Sequence, residues 1–302
     1  MKKTSLMLLT IMLTLMLTSN VMGKKHTDEF YEKTRFIMLK KEIQIYKHLP
    51  DQESREAFIE DFWEKRDPSP GTEENENRME YQRRLAYVDR YFKEKSNKSP
   101  GWDSDRGRIY LLLGPPDTRT TRPTAISSKI GSPISVLHEY WIYDYYRLYL
   151  IFADENSMGV YRLKTWPTQL LSAIDRAKFT ISEKGKEDVD QKFKFKAQFK
   201  DDKITIKIPT KSAVFDFEKN KEDVSVRFYV AAYIYRNYKR VDKIETTRQF
   251  SAGKDEILKQ KDIVLTVPYT PSSKGKYLFD VIVQDENSGP GAKYREIFTS
   301  RF

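Results

Sequence analysis

The sequence predicts an α+β protein joined to an all-β one: an N-terminal helical arm and a small antiparallel α+β domain, then an immunoglobulin-like β-sandwich. Three observations carry that expectation. Apolar residues recur at helical spacing up to about Lys95, aromatic strands crowd residues 138–163, and beyond Phe193 apolar and polar residues alternate. A chain of 302 residues is longer than one ordinary core. The expected division is a leader at 1–23, a helical region at 24–100, an α+β domain at 101–185 and a sandwich at 186–302, with the last boundary in the charged segment 183–190.

Taken in order, residues 1–23 read as an export signal: Lys2 and Lys3, an apolar run from Leu6 to Leu17, and Gly23 at the cut. That run is shorter than the roughly 20 residues of a spanning helix, and no later segment could cross a membrane. Asp51 is expected to cap a helix bearing Phe58, Ile59, Phe62 and Trp63, ended by Asp67-Pro68-Ser69-Pro70-Gly71. Thr72 is expected to cap the next, with Tyr81, Leu85, Val88 and Phe92 on one face. Residues 108–113 read as a buried strand, Gly114-Pro115-Pro116-Asp117 as a turn, and 118–135 as a long loop. Strands at 138–146, 148–153 and 160–163 and a helix from Trp166 to about Lys178 complete this part. Then Ile204, Ile206 and Ile208, Val224 to Val230, Ile263 to Val267, and Tyr277 to Val283 alternate as half-buried strands.

Composition narrows the chemistry. Cysteine is absent, which removes disulfides, thiolate metal sites, nucleophilic thiols and lipid attachment. The net charge of +10 falls to +8 without Lys2 and Lys3, since residues 1–23 hold no acid. Such a surplus suits an envelope protein or an anionic envelope polymer as partner, while evenly mixed lysines and glutamates argue against nucleic acid. His26, His48 and His138 lie far apart, and phosphate loops and dinucleotide fingerprints are missing, so no metal and no cofactor is expected. Ser132 reads as a loop residue. Asp285-Glu286-Asn287 reads as a hairpin turn in preference to a cation loop.

The segment "GWDSDRGRIYLLLGPPD" stands out. Asp103, Ser104 and Asp105 can bond nearby amides, Gly101 and Gly107 permit unusual backbone angles, and Arg106 and Arg108 can pair with the acids. The favoured reading is a braced loop with Trp102 as buried anchor. The competing one has Asp103 and Asp105 doing acid–base work on an envelope polymer. Arg119, Arg122 and Lys129 on the following loop are candidate contacts for an anionic partner. Trp141, Tyr143 and Tyr145 alternate onto one face, either as core or as a stacking platform for glycan.

With Phe62-Trp63, Arg66-Asp67-Pro68 and Pro70-Gly71-Thr72 before it, and Asp105-Arg106-Gly107 and Gly114-Pro115-Pro116-Asp117 inside it, this stretch resembles the GWxTD-domain family of exported bacterial proteins over about residues 30–166. Ser104 stands where the family has threonine, which preserves the capping hydroxyl. The resemblance implies export and often a trailing β-sandwich, and no established activity. A Gly-Pro turn followed by a Trp-x-Tyr strand (Trp141, Tyr143) also resembles the small lipoproteins of the outer-membrane barrel-assembly machine, which implies an interaction module. The sequence thus points to an exported, non-enzymatic interaction or scaffold protein of the cell envelope, periplasmic or extracellular.

Overall fold

A computed structural model describes residues 28–70, 72–94, 96, 98–126, 134–178, 194–216, 223–257, 259–288 and 293–302. The expected leader, residues 127–133 with Lys129 and Ser132, and the boundary segment 183–190 lie outside the described residues. The chain divides into two units, 1–35 and 36–302. The first holds α1 (Glu29–Thr34), started by the Asp28 carboxylate, which accepts from the Tyr31 amide at 3.1 Å.

The second unit begins with α2 (Lys40–Lys47), whose Ile45 and Tyr46 are buried. In α3 (Gln52–Glu64), Asp51 accepts from the Ser54 amide at 2.7 Å, as its position before a helical apolar pattern implies, and Phe58, Phe62 and Trp63 turn inward. α4 (Glu76–Tyr91) starts later than expected. Asn75, not Thr72, caps it by accepting from the Arg78 amide at 2.9 Å. The Thr72 hydroxyl is engaged in the preceding turn, donating to the Ser69 and Glu74 carbonyls.

Residues 108–113 are not a strand but the body of α5 (Asp105–Leu113). Ile109 to Leu113 are all buried, so the run carries no amphipathic period, and a short apolar run of that kind fits a strand or a helix equally well. The expected loop is also corrected. β1 (Thr118–Ile126) pairs antiparallel with β2 (Ile134–Tyr143), from Thr118 opposite Ile142 to Ile126 opposite Ile134. Its threonines suit a strand, but residues 121–125 are all exposed, so no apolar alternation marks it. With β3 (Leu148–Asp154) and the short β4 (Arg162–Leu163) they form one antiparallel sheet in the order β1-β2-β3-β4. After it α6 (Gln169–Ala177) packs against α5 and buries Leu170, Ala173 and Ala177.

Seven strands follow: β5 (Lys196–Lys200), β6 (Lys203–Pro209), β7 (Asp223–Arg236), β8 (Lys239–Gly253), β9 (Asp262–Pro268), β10 (Lys276–Asp285) and β11 (Lys293–Arg301), with one turn of helix, α7 (Lys254–Ile257), after β8. Two antiparallel sheets, β11-β10-β7-β8 and β5-β6-β9, close on a shared core that includes Ile204, Ile206, Ile208, Phe228, Leu265 and Phe279. The alternating residues of the sequence therefore fill a β-sandwich. Asp285-Glu286-Asn287 turns β10 into β11: the Asp285 carboxylate accepts from the Asn287 and Val214 amides at 2.9 and 2.8 Å.

Charged side chains buried where the helices meet the sandwich tie the two together. Lys65 pairs with Asp280 at 2.8 Å and donates to the Tyr235 hydroxyl at 2.7 Å. Arg66 grips both oxygens of Glu42, at 2.9 and 2.7 Å, and Arg295 bridges Glu42 to Asp280. Each of these groups is paired, which is what allows charge to be buried there at all.

Candidate functional site

The motif is built around two close backbone approaches. Residues Gly101–Asp103 form a 3₁₀ turn, and Ser104, extended at φ −71° and ψ 156°, caps α5. Its hydroxyl accepts from the Gly107 amide at 3.0 Å and donates to the Gly101 carbonyl at 2.8 Å. A Cβ on Gly101 would fall 1.8 Å from the Val88 carbonyl oxygen of α4, and one on Gly107 would fall 1.8 Å from the Gly101 oxygen. Both glycines are therefore required by contact, not by backbone angle. Trp102 is half-buried, which corrects its expected role as the buried anchor.

The far end of α5 is held from α4. The buried Arg84 donates to the Leu111 and Leu112 carbonyls at 3.0 and 3.1 Å and pairs with Glu80 at 2.7 Å. Gly114 then turns the chain at φ 83°, in the region that only glycine occupies freely, and its carbonyl accepts from the Tyr143 hydroxyl at 2.9 Å. Pro115 and Pro116 carry the turn outward to Asp117, which locks it to β2 by donating its amide to the Ile142 carbonyl and accepting from the Asp144 amide at 2.7 Å. Arg66 and Asp67 are equally committed. Asp67 accepts from the Ser69 amide at 2.9 Å, and the Arg66 carbonyl accepts from the Asn77 side chain.

The carboxylates proposed for acid–base work are drawn to different partners. Asp103 pairs with Arg108 at 2.8 Å, while Asp105 accepts from the Leu163 amide at 3.0 Å and so fixes β4. Arg106 reaches past both to Glu139 at 2.9 Å and stacks over the Tyr161 ring at 3.8 Å. Glu139 also receives Arg119 and the Trp141 indole, the latter at 2.7 Å. Burial alone would raise the Glu139 carboxyl, but the bonds from Arg119 and Trp141 and the charges of Arg119 and Arg106 hold it below the usual range. Glu94, also buried, accepts from the Tyr161 amide at 3.2 Å.

The remaining candidates separate by exposure. Trp141 is 0% exposed and Tyr143 2%, the former packed against Phe92, Tyr110 and Phe152 at 5.6, 6.3 and 4.8 Å between ring centroids. Of the two readings of this face, core is correct, and a glycan platform on Trp141 and Tyr143 is excluded by their burial. Tyr145 is exposed but lies in the turn after β2, and Arg122 is exposed on β1. Arg119 is committed to Glu139 and lies 3.4 Å from the Tyr87 hydroxyl. Sequence reasoning missed a separate cavity of about 360 Å³ where α2 faces the β7–β8 turn. The signal available was Asn237-Tyr238 between two alternating runs, the place of a tight hairpin turn.

Residues 36–302 thus hold, within one unit, the helices and α+β sheet built on the Gly101–Asp117 segment together with a β-sandwich. A family model described as the GWxTD domain matches residues 12–127, so that part of the chain is similar to the GWxTD domain. No curated protein matches the chain. Among solved structures, the selenomethionine-substituted chicken interferon gamma receptor alpha chain is similar at 11% identity and a TM-score of 0.20, over 61% of this chain and 85% of that one. A TM-score so low decides nothing about this chain.

Proposed function

We propose that this is an exported, non-enzymatic interaction protein of the bacterial cell envelope, in which the GWxTD segment is the frame and the binding surfaces lie elsewhere. One observation carries the reading: the motif's side chains are engaged inside the domain. Ser104 caps α5, Asp105 and Asp117 hold backbone amides, Asp103 pairs with Arg108, and Arg106 pairs with Glu139. A hydrolase using Asp103 and Asp105 would need the two carboxylates converging on one open point. They serve separate partners instead, so the scaffold reading is preferred.

The test is an Asp103→Asn, Asp105→Asn double variant. The chain, purified with and without the substitutions, is incubated with isolated envelope polymer and in parallel used to capture envelope proteins. The scaffold reading expects no polymer cleavage by either form, and capture by the variant that matches wild type wherever its melt is intact. Cleavage by wild type that the variant abolishes while still folded would sink the reading. Export is tested separately by N-terminal sequencing of the fractionated protein, with Lys24 expected as the first residue and retention of residues 1–23 counting against it.

A further inference from the structure

The turn between β7 and β8 holds a conformational outlier. Asn237 (φ 49°) and Tyr238 (φ 67°) are both left-handed, as the two central residues of a type I′ hairpin turn must be. Asparagine tolerates that region and glycine commonly follows it, but an aromatic residue at the second position is strained. Strain of this kind persists where the surroundings hold it, and it concentrates at binding sites. Tyr238 is 45% exposed, so burial does not explain its retention.

Its ring has a definite place. It stacks on His48 with centroids 4.5 Å apart and planes 18° apart, and His48 is oriented by its Nδ1 on the Gln44 carbonyl at 2.7 Å. The stacked pair forms one wall of the 360 Å³ cavity; Ile45, Tyr235 and Leu278 supply apolar surface, and Lys41 and Lys276 are among its lining residues. No carboxylate is among the residues that line it. The acids buried beneath it are already paired, Asp61 with Arg240 and Asp280 with Lys65 and Arg295, so the two lining ammonium groups meet no competing charge within the cavity. A pocket of a few hundred Å³ with aromatic walls and a few polar groups has the form of a small-molecule site. The larger cleft, at the same end of the sandwich, has Lys200, Lys274 and Arg301 but also Asp201 and Asp202, and lacks this one-sided charge.

We propose that the α2–sandwich cavity binds a small aromatic anion, its rings against the His48–Tyr238 stack and Leu278 and its acidic group toward Lys41 and Lys276. The proposal is independent of the scaffold reading, since it uses no residue of the GWxTD segment. Two fluorescent probes that differ in one group test it on the purified protein: 8-anilinonaphthalene-1-sulfonate and the uncharged N-phenyl-1-naphthylamine. The sulfonate should bind saturably at one site and about tenfold more tightly than the neutral probe, the effect expected of two partly exposed charge contacts. Lys41→Gln with Lys276→Gln should erase that preference without moving the melt. Tyr238→Gly, which relieves the left-handed strain, should weaken sulfonate binding severalfold while leaving the melt equal or higher. Thr299→Trp, at an exposed strand position on the cavity wall, should block both probes. Equal affinity for the two probes in wild type, a sulfonate preference that survives the lysine pair, or sulfonate binding that survives Thr299→Trp, would overturn the proposal.

Discussion

Gly107→Ala places the stability of the GWxTD segment under the most direct test. On helix propensity alone alanine in α5 would gain about 1 kcal/mol over glycine. The structure reverses the sign. The new Cβ would sit 1.8 Å from the Gly101 carbonyl oxygen and 3.1 Å from the Ser104 hydroxyl, where ordinary contact begins at 3.4 Å. The offending atom belongs to the backbone, so no rotamer change relieves it. The start of α5 must move away from the 3₁₀ turn, at an overpacking cost of about 3 kcal/mol. The same movement pulls the Gly107 amide off Ser104, and losing a helix cap costs about 1 kcal/mol. Set against the propensity gain, the net is a loss of about 3 kcal/mol, or a melting temperature lower by about 6–12 °C for a unit of this size. Urea denaturation followed by circular dichroism reads it as a shifted midpoint with an unchanged slope. Trp102→Ala is the comparison: the half-buried ring should cost less than Gly107→Ala, whereas a buried tryptophan would cost about 3–5 kcal/mol. A Gly107→Ala protein as stable as wild type, or more stable, would refute the close-approach argument.

Three further outcomes are expected. Arg66→Met removes the guanidinium that grips Glu42 and should cost about 3–5 kcal/mol at pH 7. Burial alone would raise the Glu42 carboxyl, but Arg66 and Arg295 hold it far below its ordinary value; the stabilisation is therefore complete above about pH 4.3 and lost on acidification, so the wild-type advantage should narrow below that pH in denaturation series. Lys293 gives the same slope from a different cause and in an alkaline window: desolvation lowers its ammonium to about 8, against the charge of Asp67 and Glu64, so the unfolded chain binds more protons between about pH 8 and 10.4. Wild-type stability relative to Lys293→Gln should rise across that window, and a flat or falling difference would contradict the buried ammonium. Finally, we expect a fragment of residues 186–302 to melt cooperatively, because the sandwich core draws on those strands alone. It should be less stable than the whole chain, as Asp280 loses Lys65 and Arg295 loses Glu42; a fragment without a cooperative transition would show that the helices complete its core.

What the sequence could determine by itself were features whose cause is local. Asp51 followed by inward Phe58 and Phe62 announces α3, and the strict alternation of Ile204, Ile206 and Ile208 or of Tyr277, Phe279 and Val281 announces half-buried strands, because chain geometry sets those periods. The turn at Gly114-Pro115-Pro116-Asp117 and the likeness to the GWxTD domain were legible for the same reason: they rest on residue types at fixed spacing. Tertiary structure decided the rest. Ile109 to Leu113 became a helix because it is buried on every side and capped by Ser104 and Arg84, the second cap coming from 27 residues away. β1 was hidden because a strand paired on one edge and exposed on its surface carries little apolar signal. Pairing is a matter of distance in space. Nothing in the order of residues says that Arg106 will reach past Asp103 and Asp105 to Glu139, that Arg295 will join Glu42 to Asp280, or that Tyr238 will lie against His48.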